Sequence, residues 1–143
     1  MKDVSLSNNQ KLAIRWKKEH RKIVTLAVKI IHDFEISRLD LLCKDIETLN
    51  ELVSAHLMDE DVELYKFSML EESLDARMKE LIEEFIETFE ETKTALIDFL
   101  TKYTLSQAIY NQEFIDSFKE LVDVLAKRIS YEEKNLYKVL QEK

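Results

Sequence analysis

Apolar residues recur along the chain at three- and four-residue spacing, the period of one helix face, in four runs separated by short polar stretches. The first run spans about Asn9 to Glu35, with Ala13, Trp16, Ile23, Ala27, Ile30, Ile31 and Phe34 on one stripe and His20 in its middle. Ser37-x2-Asp40 reads as a capping box with a short acid. It opens a second helix reaching about Leu70, whose inward line is Ile46, Leu49, Val53, His56, Leu57, Glu60, Leu64 and Phe67. After the polar stretch Glu71 to Asp75, the residues Met78, Ile82, Phe85, Ile86, Phe89, Lys93, Leu96, Phe99 and Leu100 form a third stripe. The longest connection falls at Thr101 to Asn111, where Leu105, Ala108, Ile109 and Tyr110 could form a short helical turn. The fourth run, Gln112 to Gln141, turns Phe114, Phe118, Leu121, Val122, Leu125, Ile129, Glu132, Leu136 and Leu140 inward. Four long helices with short connections pack best as an all-α, up-down-up-down four-helix bundle, and residues 1–143 are expected to form one domain.

The chain also repeats itself. His56 and Glu60 return seventy-two residues later as Arg128 and Glu132, in a frame where Leu49, Leu64, Tyr65 and Lys66 return as Leu121, Leu136, Tyr137 and Lys138. Trp16, His20, Ile23 and Ala27 correspond likewise to Phe89, Lys93, Leu96 and Leu100. The unit is a duplicated helical hairpin. Its first copy places His20, His56 and Glu60 on the core stripes, and its second places Lys93, Arg128 and Glu132 at the equivalent points.

Composition narrows the picture without changing it. Glycine and proline are both absent, where average usage would give about ten and about seven, so sharp turns were not selected and helices are favoured. Hydrophobic residues make up 45% and charged residues 35%, which belongs to a folded chain of amphipathic segments. A net charge of −8 disfavours nucleic acid as a partner, and the basic cluster Arg15, Lys17, Lys18, Arg21 and Lys22 is only local. No apolar run has the length of a membrane span and the N-terminal residues show no signal-peptide core, so no membrane association and a cytoplasmic location are expected. Cys43 is the single cysteine, which excludes an internal disulfide and a thiolate zinc cluster and reads as a buried structural thiol.

His-x3-Glu sets an imidazole and a carboxylate one turn apart on the same helix face, a donor pair for iron, manganese or zinc in a bundle interior. His20, His56 and Glu60 are therefore candidate ligands, for iron as a pair or as a single ion. A lone core histidine, however, is more often satisfied by a hydrogen bond, so a structural polar layer is the competing reading. Lys93 and Arg128 repel a dication and would have to meet acids such as Glu60, Glu132 or Glu133, which makes them ion-pair substitutes for metal in the core and leaves open that none is bound. His32 lies off the stripe and is expected to be exposed. The acids Glu83, Glu84, Glu87 and Glu91 form a solvated face or a docking surface for a basic partner.

These residues make the sequence resemble the hemerythrin-like, or HHE cation-binding, family over nearly the whole chain. The carriers are Trp16-x3-His20, His56-x3-Glu60 followed by Leu64-Tyr65, and Arg128-x3-Glu132-Glu133-x2-Leu136-Tyr137, where the family's pattern has His before the paired acids. The resemblance implies a four-helix bundle and a di-iron centre, with His20, His56, Glu60 and Glu133 at ligand positions. The third helix departs from the pattern by having Phe89 and Lys93 near the expected histidines, and Arg128 stands where the fourth should supply a ligand. That argues against a complete oxygen carrier.

A second likeness points to a different class. Lys11-Leu12-x2-Arg15-Trp16, Val53-Ser54-Ala55 before His56, and Leu125-x2-Arg128-x3-Glu132-Glu133 are similar to the regulator-of-sigma-D family of bacterial anti-sigma factors. It implies transcription regulation, with the principal sigma factor of RNA polymerase as partner. An enzyme has least support, because there is no nucleophile with an evident base and no Gly-rich phosphate loop. The expectation is a non-enzymatic hemerythrin-like protein with an incomplete metal or oxygen site, and the sigma-factor regulator is its alternative.

Overall fold

The computed structural model describes residues 8–69, 76–105 and 108–138. It contains helices α1 (Asn8–Glu35), α2 (Leu39–Met69), α3 (Ala76–Tyr103) and α4 (Gln112–Tyr131). The last continues through a π-helical turn at Glu132–Leu136 as far as Lys138. Helix α1 packs on α2 and α4, and α3 packs on the same two, which closes the bundle. The expected break at residues 71–75 lies outside the described residues, as do Leu70, Leu140 and the side chains of Phe67 and Met78.

The core falls into two apolar clusters, and their order along the chain reports the topology. Helix α1 passes from Leu12, Ala13 and Trp16 in one cluster to Ile23, Ala27 and Ile30 in the other. Helix α2 returns from Leu42, Ile46, Leu49, Val53 and Leu57 to Leu64. Helix α3 goes from Ile82 and Phe85 to Leu96 and Leu100, and α4 from Phe114, Phe118 and Leu125 back to Leu136 and Tyr137. Three successive reversals make an up-down-up-down bundle. Between the clusters each helix contributes polar residues: His20, then His56 and Glu60, then Lys93, then Arg128 and Glu132.

Several details differ from the pattern-based expectation. Ile86 is 48% exposed, because the line Ile82, Phe85, Phe89 takes the inward face and leaves Ile86 on the rim of the α2/α3 groove. Asp33 is buried at the end of α1, held by Lys29 at 3.1 Å. Cys43 is only half-buried, one position off the stripe defined by Leu42 and Ile46. The acids Glu83, Glu84, Glu87 and Glu91 are exposed, as is His32. The segment before α4 shows no helical turn at 108–110, and Asn111 caps α4 by accepting a hydrogen bond from the Phe114 N–H at 3.0 Å.

The Ser37-x2-Asp40 capping box does not form. Helix α2 begins at Leu39, and Asp40 instead accepts hydrogen bonds from the Arg38 guanidinium at 3.0 Å. Ser37 terminates α1: its φ of 59° is left-handed, its N–H reaches the Phe34 carbonyl, and the Arg38 N–H reaches the Asp33 carbonyl at 2.8 Å. This is a Schellman cap without its usual glycine. A β-carbon in that conformation costs on the order of 1 kcal/mol. Ser37→Gly should therefore raise thermal stability by a few degrees, whereas Ser37→Val should lower it; equal melting temperatures for both variants would contradict the strained cap.

Candidate metal centre

The polar layer is built from residues one turn apart. His56 and Glu60 face inward from α2, Arg128 and Glu132 from α4, and His20 enters from α1; all five are buried. The two imidazoles meet Nε2 to Nε2 at 3.0 Å. His56 Nε2 lies 3.4 Å from Glu60 Oε2, and His20 Nε2 lies 3.6 Å from Glu132 Oε2. One donor atom from each of these four residues falls within 4.8 Å of the others. Donors held at about 2.0–2.2 Å from one ion sit about 3.0–3.5 Å apart, so the set fits a single cation.

The outer nitrogens are arranged to match. His56 Nδ1 is 2.6 Å from Glu19 Oε1. His20 Nδ1 is buried without a hydrogen-bond partner, and the closest acid oxygen, Glu133 Oε2, is 3.6 Å away. His56 thus presents Nε2 to the centre and Nδ1 to a carboxylate, the orientation that fixes a ligating histidine's tautomer, whereas His20 has an acid near Nδ1 but no hydrogen bond to it. Trp16 packs edge-on against His56 at 6.3 Å and donates its indole N–H to Asp59 at 2.8 Å.

Arg128 and Tyr137 divide the two glutamates between them. The guanidinium donates to Glu132 Oε1 at 3.0 Å and to Glu60 Oε1 at 3.2 Å, with the Phe85 ring 4.8 Å from its carbon. The Tyr137 hydroxyl lies 2.6 Å from Glu60 Oε2, 2.5 Å from Glu132 Oε2 and 3.2 Å from His20 Nε2. One hydroxyl carries one proton and cannot serve two carboxylate oxygens, so a second proton is required. Burial, then the charge of Glu60, raises the Glu132 carboxyl well above the usual range and places that proton there. Burial would raise Glu60 as well, but hydrogen bonding to Glu132 and His56 and the charges of His56 and Arg128 outweigh it and keep Glu60 ionised. Burial and then His56 press His20 down to about 3, leaving it neutral. His56 moves the other way, because Glu60 and Glu19 together overcome its desolvation.

The π-helical turn makes this contact possible. In an α-helix two residues five apart point about 140° away from each other. At Glu132–Leu136 the helix widens, with the Tyr137 N–H bonded to the Glu132 carbonyl, so five residues complete the turn. Leu136 and Tyr137 are then both fully buried, although they are adjacent in sequence.

The expected site residues distribute as follows. His20, His56 and Glu60 come together at the donor cluster, and Arg128 lies beside them. Of the two acids of α4, Glu132 pairs with Arg128 as expected and is in addition the inward donor, whereas Glu133, one residue further round, sits outside near His20 Nδ1. Lys93 is not a core ion-pair substitute. Its amine bonds to Asp61 at 3.0 Å and lies 3.4 Å from Glu90, at the α2/α3 seam, because a second cation beside Arg128 has no buried anion to meet and its flexible stem reaches water. Sequence reasoning missed Glu19 and the part played by Tyr137. The signal for Tyr137 was its place in the repeated Leu-Tyr pair after each glutamate, and for Glu19 only its position beside His20.

The family model described as the Hemerythrin HHE cation binding domain matches residues 12–140, a span that contains the entire cluster. The chain belongs to this family. No curated protein and no solved structure gives a significant match. Set against a hemerythrin-like centre with two ions, the donor atoms here form one group, of a size that could hold a metal ion. Arg128 occupies the α4 position and is bonded to both carboxylates, while α3 brings only Phe89 and Lys93 to this level.

Removing the guanidinium isolates a buried carboxylate. Arg128→Ala should cost about 3–5 kcal/mol in urea denaturation, and adding Glu60→Leu should recover much of it. A loss under about 0.5 kcal/mol would show that Arg128 does not hold the layer.

Protonation pulls the stability of the chelated protein in opposite directions with pH. His20, with its folded value depressed to about 3, withdraws stability as pH falls from its unfolded value near 6.5, and Glu60 adds to the loss at lower pH. His56 and Glu132 have raised folded values, so their contributions are lost as pH climbs through those values. Urea midpoints measured from pH 4 to 9 in the unmodified protein and in His20→Asn check this, and the same pH dependence in both would contradict the His20 assignment.

Proposed function

We propose that this hemerythrin-domain protein binds a single metal ion, iron being the cation its donors suit, through His20, His56, Glu60 and Glu132, and that it is not an enzyme. The observation that carries this reading is the pair of imidazoles facing Nε2 to Nε2 at 3.0 Å, with Glu19 bonded to the outer nitrogen of His56 and Glu133 near the outer nitrogen of His20. A purely structural histidine pair needs one shared proton and gains nothing from leaving the His20 Nδ1 without a partner.

When bound, the ion supplies a redox-active Lewis acid. The chain's own residues supply the rest. Glu19 orients the His56 ring, the apolar clusters on either side exclude water, and Arg128 provides by its fixed charge what a second cation would provide in a two-ion centre. A cavity of about 230 Å³ between α2 and α3, walled by Leu64, Phe85 and Phe89, reaches Arg128 and not the imidazoles. A sigma-factor partner is the other reading, with the exposed acids of α3 as its face; charge alone supports it.

Metal analysis after expression with added iron should find close to one iron per chain, falling to near zero in His20→Ala and His56→Ala. A value near two in the unmodified protein would contradict the single-ion reading. Because Arg128 and Tyr137 satisfy both glutamates without a cation, the chelated protein should keep a cooperative thermal transition; loss of that transition on chelation would show that the ion is required for folding.

A further inference from the structure

We propose that the Tyr137 phenol oxygen is a fifth ligand of the bound cation and that it makes the site selective for ferric iron. This rests on the single-ion reading above. The oxygen lies 2.5, 2.6 and 3.2 Å from Glu132 Oε2, Glu60 Oε2 and His20 Nε2. Ligand-to-ion distances are about 2.0–2.2 Å. Its 3.2 Å separation from His20 Nε2 is that of neighbouring ligands, and the two carboxylate oxygens, now at hydrogen-bond distance, would open by about 0.5 Å as the shared protons leave.

The position is built. Tyr137 is fully buried, its ring tilted against Trp16 at 5.3 Å and stacked on His20 at 5.5 Å. The π-helical turn swings this side chain onto the face of Glu132, and a regular α-helix would carry it away. Such turns are uncommon and recur at functional sites.

The chemistry selects the ion. In the absence of a cation the hydroxyl and the two carboxyl groups share two protons. A cation at the donor cluster would be held by the Tyr137, Glu132 and Glu60 oxygens as anions: the Tyr137 and Glu132 protons, and the proton of His56 where that ring is charged, would all leave to solvent. Three anionic oxygens then face the ion and the Arg128 guanidinium, with both imidazoles neutral, and a phenolate is the hardest donor of the set. Hard oxygen donors in that number favour ferric iron over a softer or divalent ion.

The test is to load the full-length, chelator-stripped protein with ferric nitrilotriacetate and to record iron content, visible absorption and resonance Raman spectra. The expected result is bound iron with a broad visible phenolate-to-iron charge-transfer band and enhanced tyrosine ring modes. Tyr137→Phe, which keeps the ring packed against Trp16, should lose the band entirely while its circular dichroism is unchanged, and Tyr131→Phe should keep it. Iron bound without the band, or a band that survives in Tyr137→Phe, overturns the tyrosine ligand and leaves the single-ion reading standing. Failure of the unmodified protein to take up iron overturns both.

Discussion

Everything in this bundle is arranged around one guanidinium shared by two buried carboxylates. A charge taken out of water must be paired and hydrogen-bonded or it neutralises itself, and both responses occur within the same layer. Arg128 pairs with Glu60 and Glu132, and because one cation cannot hold two anions at this depth, Glu132 keeps its proton. Lys93, the second cation that the repeat brings to this level, is turned outward to Asp61. The layer also fixes the register of the helices. A slip of one turn in α2 or α4 would carry Glu60 or Glu132 into an apolar cluster without a partner, at a cost of several kcal/mol.

A chain without glycine or proline has few ways to depart from regular helix, and it does so at two informative places. Ser37 accepts a left-handed conformation to turn α1 into α2 within three residues, which brings His20 and His56 onto facing helices. The π-helical turn is the other departure, and no break in the sequence marks it. It widens the helix where Glu132 and Tyr137 must share a face. In the first half of the repeat, the segment from Glu60 to Tyr65 stays α-helical. The two halves therefore differ in backbone as well as in side chains.

The helices and most of the inward stripes were legible because burial imposes a 3.6-residue period that propensity alone does not. His20, His56 and Glu60 were legible for the same reason: polar residues on an apolar line stand out. Periodicity also placed Glu132 on the inward stripe, where it is buried, whereas the family pattern, which counts residues and not helical angle, nominated its neighbour Glu133 as a ligand. Tyr137 was hidden because an α-helical register places it off the face of Glu132, and only the i→i+5 turn moves it. Lys93 was misplaced for another reason. Its backbone does sit at the level of the polar layer, but a four-carbon stem lets the charge leave a place where its α-carbon must stay.

The duplication accounts for a donor cluster drawn unequally from the two halves, with His20, His56 and Glu60 from the first and Glu132 from the second. Two equivalent hairpins with His-x3-Glu in each would face each other across the bundle and present donors for two ions. Replacing the second histidine by Arg128 puts a fixed positive charge within hydrogen-bonding distance of both glutamates, which repels an ion on its own side and at the same time holds the Glu60 and Glu132 outer oxygens in place. The inner oxygens of both acids are left facing the two imidazoles and Tyr137. Loss of one histidine thus does not dismantle the neighbouring half. It converts two carboxylates that could bridge a pair of ions into carboxylates with one oxygen each committed to a guanidinium and one each available to a single cation.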